Sequence, residues 1–162
     1  MFVPTCLWIT LGTLAWGLVG PADVVSAAEK SKNSSPSFAV SILLKTEGHS
    51  ISFDKKQVKV PYGRQVAITY HNQAEVGSEI SHNVAVLAPG SKGKVFGILQ
   101  KNGYNINGLT GLSEVIAISE TLLPKQSATI SFRPEGKGTY HYVCLMPGHG
   151  DVLDMTGDII VE

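Results

Sequence analysis

The sequence predicts an all-β chain, a sandwich or barrel of antiparallel strands interrupted by one short helix. Three observations carry this. Short runs of alternating or β-branched residues recur along most of the 162 residues. Gly- and Pro-rich turns separate them, and a single segment leaves the two-residue period for helical spacing. The length is about one domain, on a prior of roughly 100–200 residues each.

Taken in order, the strand candidates are Phe38–Leu44, Ile51–Phe53, Gln57–Val60, Gln65–Tyr70 and His82–Leu87, then Val115–Ser119, Ala128–Phe132, Gly138–Cys144 and Gly157–Val161. Turns fall between them at Glu47-Gly48, Pro61-Tyr62-Gly63, Pro89-Gly90, Pro124-Lys125, Pro134-Glu135-Gly136 and Pro147-Gly148. The exception is Lys92–Asn102, where Val95, Ile98 and Leu99 stand at i, i+3 and i+4 and Gly103 follows as a C-cap. This helix belongs to a long excursion, from about Ser91 to Glu114, of the kind that serves as a flap.

Residues 1–28 stand apart. Asp23 is their only charge, and Cys6 to Val19 is an almost unbroken apolar run, too short to span a bilayer comfortably. Ser26-Ala27-Ala28 then supplies small residues for cleavage, so 1–28 read as a secretory signal peptide. Its weak feature is an amino-terminal region without Lys or Arg; an uncleaved membrane anchor is the alternative. The polar stretch 29–37 reads as a flexible leader and 38–162 as the domain. The expected location is therefore outside the cytoplasm, in a periplasm or tethered to the outer face of a membrane.

Composition removes several functions. Two cysteines cannot form a disulfide-dense scaffold or a site of three thiolates. Thirteen basic residues balance 13 acidic ones, which argues against nucleic acid as a partner. There is no Gly-rich phosphate loop. Cleavage removes Cys6 and leaves Cys144 as the lone thiol of an exported protein, with no partner for an internal disulfide.

Cys144 ends a strand and opens the loop Cys144-Leu145-Met146-Pro147-Gly148-His149, and Met155 stands where the chain re-enters a strand. Thiolate, imidazole and thioether in that order make most of a mononuclear copper set. His82, opening a strand in Ser81-His82-Asn83-Val84, supplies the second imidazole. The competing readings are an inert buried thiol, a cysteine nucleophile with a histidine base, and zinc; the ordered combination favours copper. His49, His71 and His141 read as surface or structural, and Met146 as a cap on the outer side of the site.

With these residues in place, the chain resembles the cupredoxins, the type I blue-copper family, and within them the azurin and auracyanin group. The resemblance rests on Ser81-His82-Asn83-Val84, on Val115–Ile118 followed by Leu122–Phe132, on Gly138-Thr139-Tyr140 through Cys144 with Pro147-Gly148-His149, and on Met155-x-Gly157-x-Ile159-x-Val161. It implies a Greek-key β-sandwich with the helix in a flap insertion. It implies one type I copper ion with His82, Cys144 and His149 equatorial and Met155 axial. Asn83 would tie the two ligand loops together, and the Ser81 carbonyl would be a second, very weak axial oxygen. Three departures stand out. Met155 lies six residues after His149, whereas Leu153 holds the four-residue spacing; azurin's disulfide has no counterpart; and Asp151 and Asp154 occupy a loop that is usually apolar.

The implied function is single-electron transfer between redox partners such as c-type cytochromes or oxidoreductases, not catalysis. Leu145, Met146, Pro147 and Leu153 are the expected apolar docking patch, with Asp151 and Asp154 steering a basic partner. Membrane contact is expected only if the amino-terminal segment is uncleaved. The alternatives are a copper carrier or chaperone, or an accessory domain of a copper oxidoreductase.

Overall fold

The computed structural model describes residues 40–162. The expected signal peptide, the leader, and Phe38 and Ala39 lie outside the described residues. The strands are β1 (Val40–Glu47), β2 (Gln57–Val60), β3 (Val66–Gln73), β4 (Ala85–Leu87), β5 (Val115–Ile118), β6 (Ser127–Phe132), β7 (Gly138–Val143) and β8 (Thr156–Val161). Between β4 and β5 lie the helix α1 (Lys92–Lys101) and a 3₁₀ turn, Ile106–Leu109, that the sequence reading did not anticipate.

The strands form two sheets, ordered β1-β3-β6 and β2-β8-β7-β4-β5. Together with the flap between β4 and β5 they make the expected β-sandwich with a helical flap. The strands are not all antiparallel, however. β1 pairs parallel with β3, and β2 parallel with β8. β2 crosses to the other sheet, so β1 and β3 meet side by side running the same way. Alternation reports which face is buried but carries no information about strand direction.

Two expected strands also differ. Ile51–Phe53 is not a strand. Its Phe53 instead drops between the sheets, edge-on to Tyr70 at 5.4 Å and tilted against Tyr142 at 5.2 Å. Asp54 pins the segment to β1, its N–H donating to the Lys45 carbonyl at 2.9 Å and its carboxylate accepting from the Lys45 N–H at 2.9 Å. β4 begins at Ala85 and not at His82, which makes an isolated bridge with Leu122.

The five-stranded sheet is buried on both faces where it matters. In the run Val84-Ala85-Val86-Leu87, Val84 and Val86 enter the core between the sheets, while Ala85 and Leu87 pack under the flap with Val95, Phe96, Leu99 and Leu109. Tyr142-Val143-Cys144-Leu145 divides in the same way: Tyr142 and Cys144 face the sandwich, and Val143 and Leu145 face the flap. An unbroken apolar run is what a strand covered on both sides requires.

Gly157 faces Tyr142 across the β7–β8 pair. A Cβ at Gly157 would stand 2.2 Å from the tyrosine Cζ, and the fully buried Tyr142 donates its hydroxyl to the Lys55 carbonyl at 2.6 Å. The ring therefore fills the space a side chain would need. Gly157→Ala should destabilise the protein by about 1–3 kcal/mol, read as a lowered urea midpoint at unchanged slope.

Candidate metal centre

Three segments bring donor atoms to one point. Cys144 directly follows β7, so the sheet fixes its backbone and strand parity turns its thiol into the sandwich core. His82 is held by the paired backbone bonds of its bridge: its N–H donates to the Leu122 carbonyl at 3.0 Å, and the Leu122 N–H donates back at 2.7 Å. Its ring sits edge-on to Tyr70, with centroids 6.4 Å apart. His149 lies in the loop between β7 and β8. Its N–H donates to the Met146 carbonyl at 3.0 Å, and its carbonyl accepts from the Met155 N–H at 2.8 Å.

The two imidazole Nδ1 atoms are 3.1 Å apart, and the Cys144 Sγ lies 3.9 Å from the His82 Nδ1 and 3.6 Å from the His149 Nδ1. The point equidistant from all three is about 2.1 Å from each, within the ~2.0–2.3 Å of metal–nitrogen and metal–sulfur bonds. Among the described residues these three side chains form a group that can hold a metal ion. The set of one thiolate and two imidazoles suits a soft transition metal.

Burial sets the protonation of the group. It pushes His82 down to about 4, with His149 adding to the effect, and it lowers His149 as well. Both rings are thus disposed to be neutral, the form in which imidazole binds metal. Burial pushes the Cys144 thiol up to about 11, against the pull of the backbone N–H groups of Asn83 and Met146. The His82 Nε2 is buried without a hydrogen-bond partner among the described residues, so packing and the bridge hold this ring.

Asn83 joins the two ligand segments. Its Oδ1 accepts from the Leu145 N–H at 2.7 Å, and both residues are fully buried. Ser81, which precedes His82, is half-buried. Met155 is fully buried in the same cluster as Cys144, and its carbonyl accepts from the Cys144 N–H at 3.0 Å. Leu153 is 54% exposed.

The expected docking patch needs correction at Leu145. That side chain is fully buried beneath the flap, because it has the opposite strand parity to Cys144 and the flap covers that face. Met146 is half-buried against the core, and Pro147 and Leu153 are exposed. Val152, 74% exposed, extends the apolar surface beside them. Asp151 and Asp154 are both engaged within the chain. Asp151 accepts from Gln100 at 3.0 Å and from the Tyr104 hydroxyl; Asp154 accepts from the Thr156 hydroxyl at 2.7 Å and faces Lys92 at 3.6 Å.

Asn72 is a positioning residue that sequence reasoning missed. It is fully buried at the end of β3 and donates to the Ile80 and Leu122 carbonyls, each at 3.0 Å, thereby holding the approach to His82 and its bridge partner. The signal was available: Val66, Ile68 and Tyr70 mark the buried face of β3, and Asn72 continues that face with a polar group.

Residues 40–162 match the family of copper binding proteins of plastocyanin/azurin type. Auracyanin-A of Chloroflexus aurantiacus is 28% identical over 127 residues, spanning 76% of this chain and 75% of that protein. Among solved structures, dithionite-reduced auracyanin from the photosynthetic bacterium Roseiflexus castenholzii is similar with a TM-score of 0.63 at 25% identity, covering 75% of this chain and 96% of that one. An azurin of Methylomonas sp. strain J, 18% identical, gives a TM-score of 0.64 over 76% of this chain and 98% of its own, and supports the fold alone.

Removing the Asn83 acceptor strands the buried Leu145 N–H. Asn83→Ala should therefore cost about 1–3 kcal/mol in the metal-free protein, measured by urea unfolding. An unchanged midpoint would show that the two ligand segments do not depend on this tie.

Proposed function

The chain belongs to the plastocyanin/azurin family of copper-binding proteins, and from that premise we propose that it is an exported type I blue-copper carrier of single electrons. His82, Cys144 and His149 would hold one copper ion, with Met155 as its weaker thioether ligand. The convergence of one thiol and two imidazole nitrogens at separations of 3.1, 3.6 and 3.9 Å carries this reading. Copper bound there would supply a one-electron couple, Cu(I)/Cu(II).

The side chains divide the work. His82 is fully buried and anchors the site to the sandwich, while the half-buried His149 brings its ring edge toward solvent and forms the route for the electron. The ties of Asn83 to Leu145 and of Met155 to Cys144 and His149 limit rearrangement of the donors. Limited rearrangement is what fast electron exchange needs. Burial supports Met155 over Leu153 as the axial residue.

Met146, Pro147, Val152 and Leu153 surround the His149 edge as a small apolar docking surface, of a size suited to transient redox encounters. The partners are redox proteins such as c-type cytochromes or oxidoreductases. The signal-like sequence of residues 1–28 supports an exchange outside the cytoplasm. Carriage is favoured over catalysis because the remaining described histidines are engaged separately: His49 with Glu75 at 3.6 Å, His71 with Ser127, and His141 with Asp158 at 2.8 Å.

Adding Cu(II) to the purified protein should produce an intense visible thiolate-to-copper band and a narrow copper hyperfine splitting in the EPR spectrum. Both should vanish in Cys144→Ser, and survival of the band in that variant would falsify the site. The axial assignment has its own measurement. Met155→Leu should raise the reduction potential strongly, whereas Leu153→Met should leave it near the wild-type value; the reverse pattern would make Leu153 the axial position.

A further inference from the structure

The flap helix touches the ligand loop along a single stripe. Lys92 faces Asp154 at 3.6 Å, Phe96 packs against Gly150, and Gln100 donates to Asp151 at 3.0 Å. Positions 92, 96 and 100 are four apart and therefore lie on one face of α1. Tyr104 continues the stripe beyond the helix end and donates its hydroxyl to the same Asp151 oxygen, Oδ2.

The contact at Gly150 is close. A Cβ there would lie 2.3 Å from the Cys144 carbonyl oxygen and 2.6 Å from the Phe96 Cζ. The loop backbone thus lies directly between the Cys144 carbonyl and the helix, with no side chain as spacer. Tyr104 adopts a φ of +61°, a left-handed conformation that is strained for a bulky residue. Its N–H closes the helix on the Leu99 carbonyl at 2.8 Å. A glycine would make that turn with less strain, but only a side chain at this position carries a hydroxyl to Asp151.

The ligand loop is fixed at its start by Asn83 and at its end by the bonds of Met155. Just after His149, Gly150 meets Phe96, and Asp151 meets Gln100 and Tyr104, all from the flap. We propose that the stripe Lys92, Phe96, Gln100 and Tyr104 is a brace that positions His149, gripping Gly150 and Asp151 so that its Nδ1 is held at donor separation. The inference rests on the reading of His149 as a metal ligand. Gln100, Tyr104 and Asp151 are then positioning residues.

The test combines Gln100→Leu with Tyr104→Phe. Asp151→Asn serves as the conservative variant that keeps an acceptor oxygen, and Val60→Ala in the sandwich core as a control for stability alone. In the metal-free protein, the amides of Val152, Leu153 and Met155, which are hydrogen-bonded within the loop, report its opening by hydrogen exchange. The double variant should exchange these amides about tenfold faster and lose Cu(I) to a chelator about tenfold faster. Asp151→Asn should retain most of the wild-type behaviour, and Val60→Ala should accelerate neither process selectively. Wild-type exchange and release in the double variant would overturn the brace. So would an equal, loop-selective acceleration in Val60→Ala. If the wild type takes up no copper while loop exchange still rises in the double variant, the copper reading fails, and what stands is that the flap holds the loop.

Discussion

A buried hydrogen bond, from the Leu145 N–H to the Asn83 Oδ1, carries the pairing of β4 with β7 past the strand ends and ties together the two segments on which the site depends. His82 precedes Asn83, and Cys144 precedes Leu145. Locking one residue of each segment to the other sets the separation of their neighbours. The bond lies in a fully buried place where an unpaired N–H is costly, so it is strong in the sense that matters: the alternative is worse. Around it the sandwich supplies stiffness. Cys144 takes its position from β7, and His82 from its bridge to Leu122, which Asn72 holds from beneath.

The same burial that fixes the donors also governs their charge. His82 and His149 are biased toward neutral imidazole, and Cys144 toward the protonated thiol. Neutral imidazole is the form that binds metal, so uptake at such a site is coupled chiefly to loss of the thiol proton. The three donor atoms stand at bonding distance from a common point. Little of the chain then has to rearrange between states, which is the structural condition for a small barrier to electron exchange.

Much of this was legible in the sequence because it follows from period and order. Strand parity puts Cys144 and His141 on opposite faces, and the ordered Cys, His and Met of the last loop point to copper. The flap helix was found within one residue, Lys92–Asn102 against Lys92–Lys101. What escaped was what alternation does not encode. Strand direction was one such feature, hence the two parallel pairs. Leu145 was another: its parity was readable, but the partner for its face was the flap, and a surface patch was inferred where a second core exists. The Asp151 carboxylate was taken for a free charge because nothing local in its loop announces Gln100 and Tyr104, which come from a segment about fifty residues earlier.

The unusual distance between His149 and Met155 has a physical reading in the loop itself. The N–H groups of Val152 and Leu153 both donate to the Gly148 carbonyl, at 3.3 and 3.0 Å, winding the additional residues into a local turn. Asp154 then takes a left-handed φ of +54° and reverses the chain, so that Val152 and Leu153 bulge into solvent while Met155 returns to the core beside Cys144. Extra length is thereby absorbed on the outer side of the loop and need not displace the thioether. The outward bulge also carries the exposed apolar residues, so lengthening the loop enlarges the surface around His149. A longer free loop would loosen His149, and here the loop is met from the other side by Phe96, Gln100 and Tyr104. In this arrangement the sandwich fixes His82 and Cys144, the flap secures the loop that bears His149, and the site sits where those two supports meet.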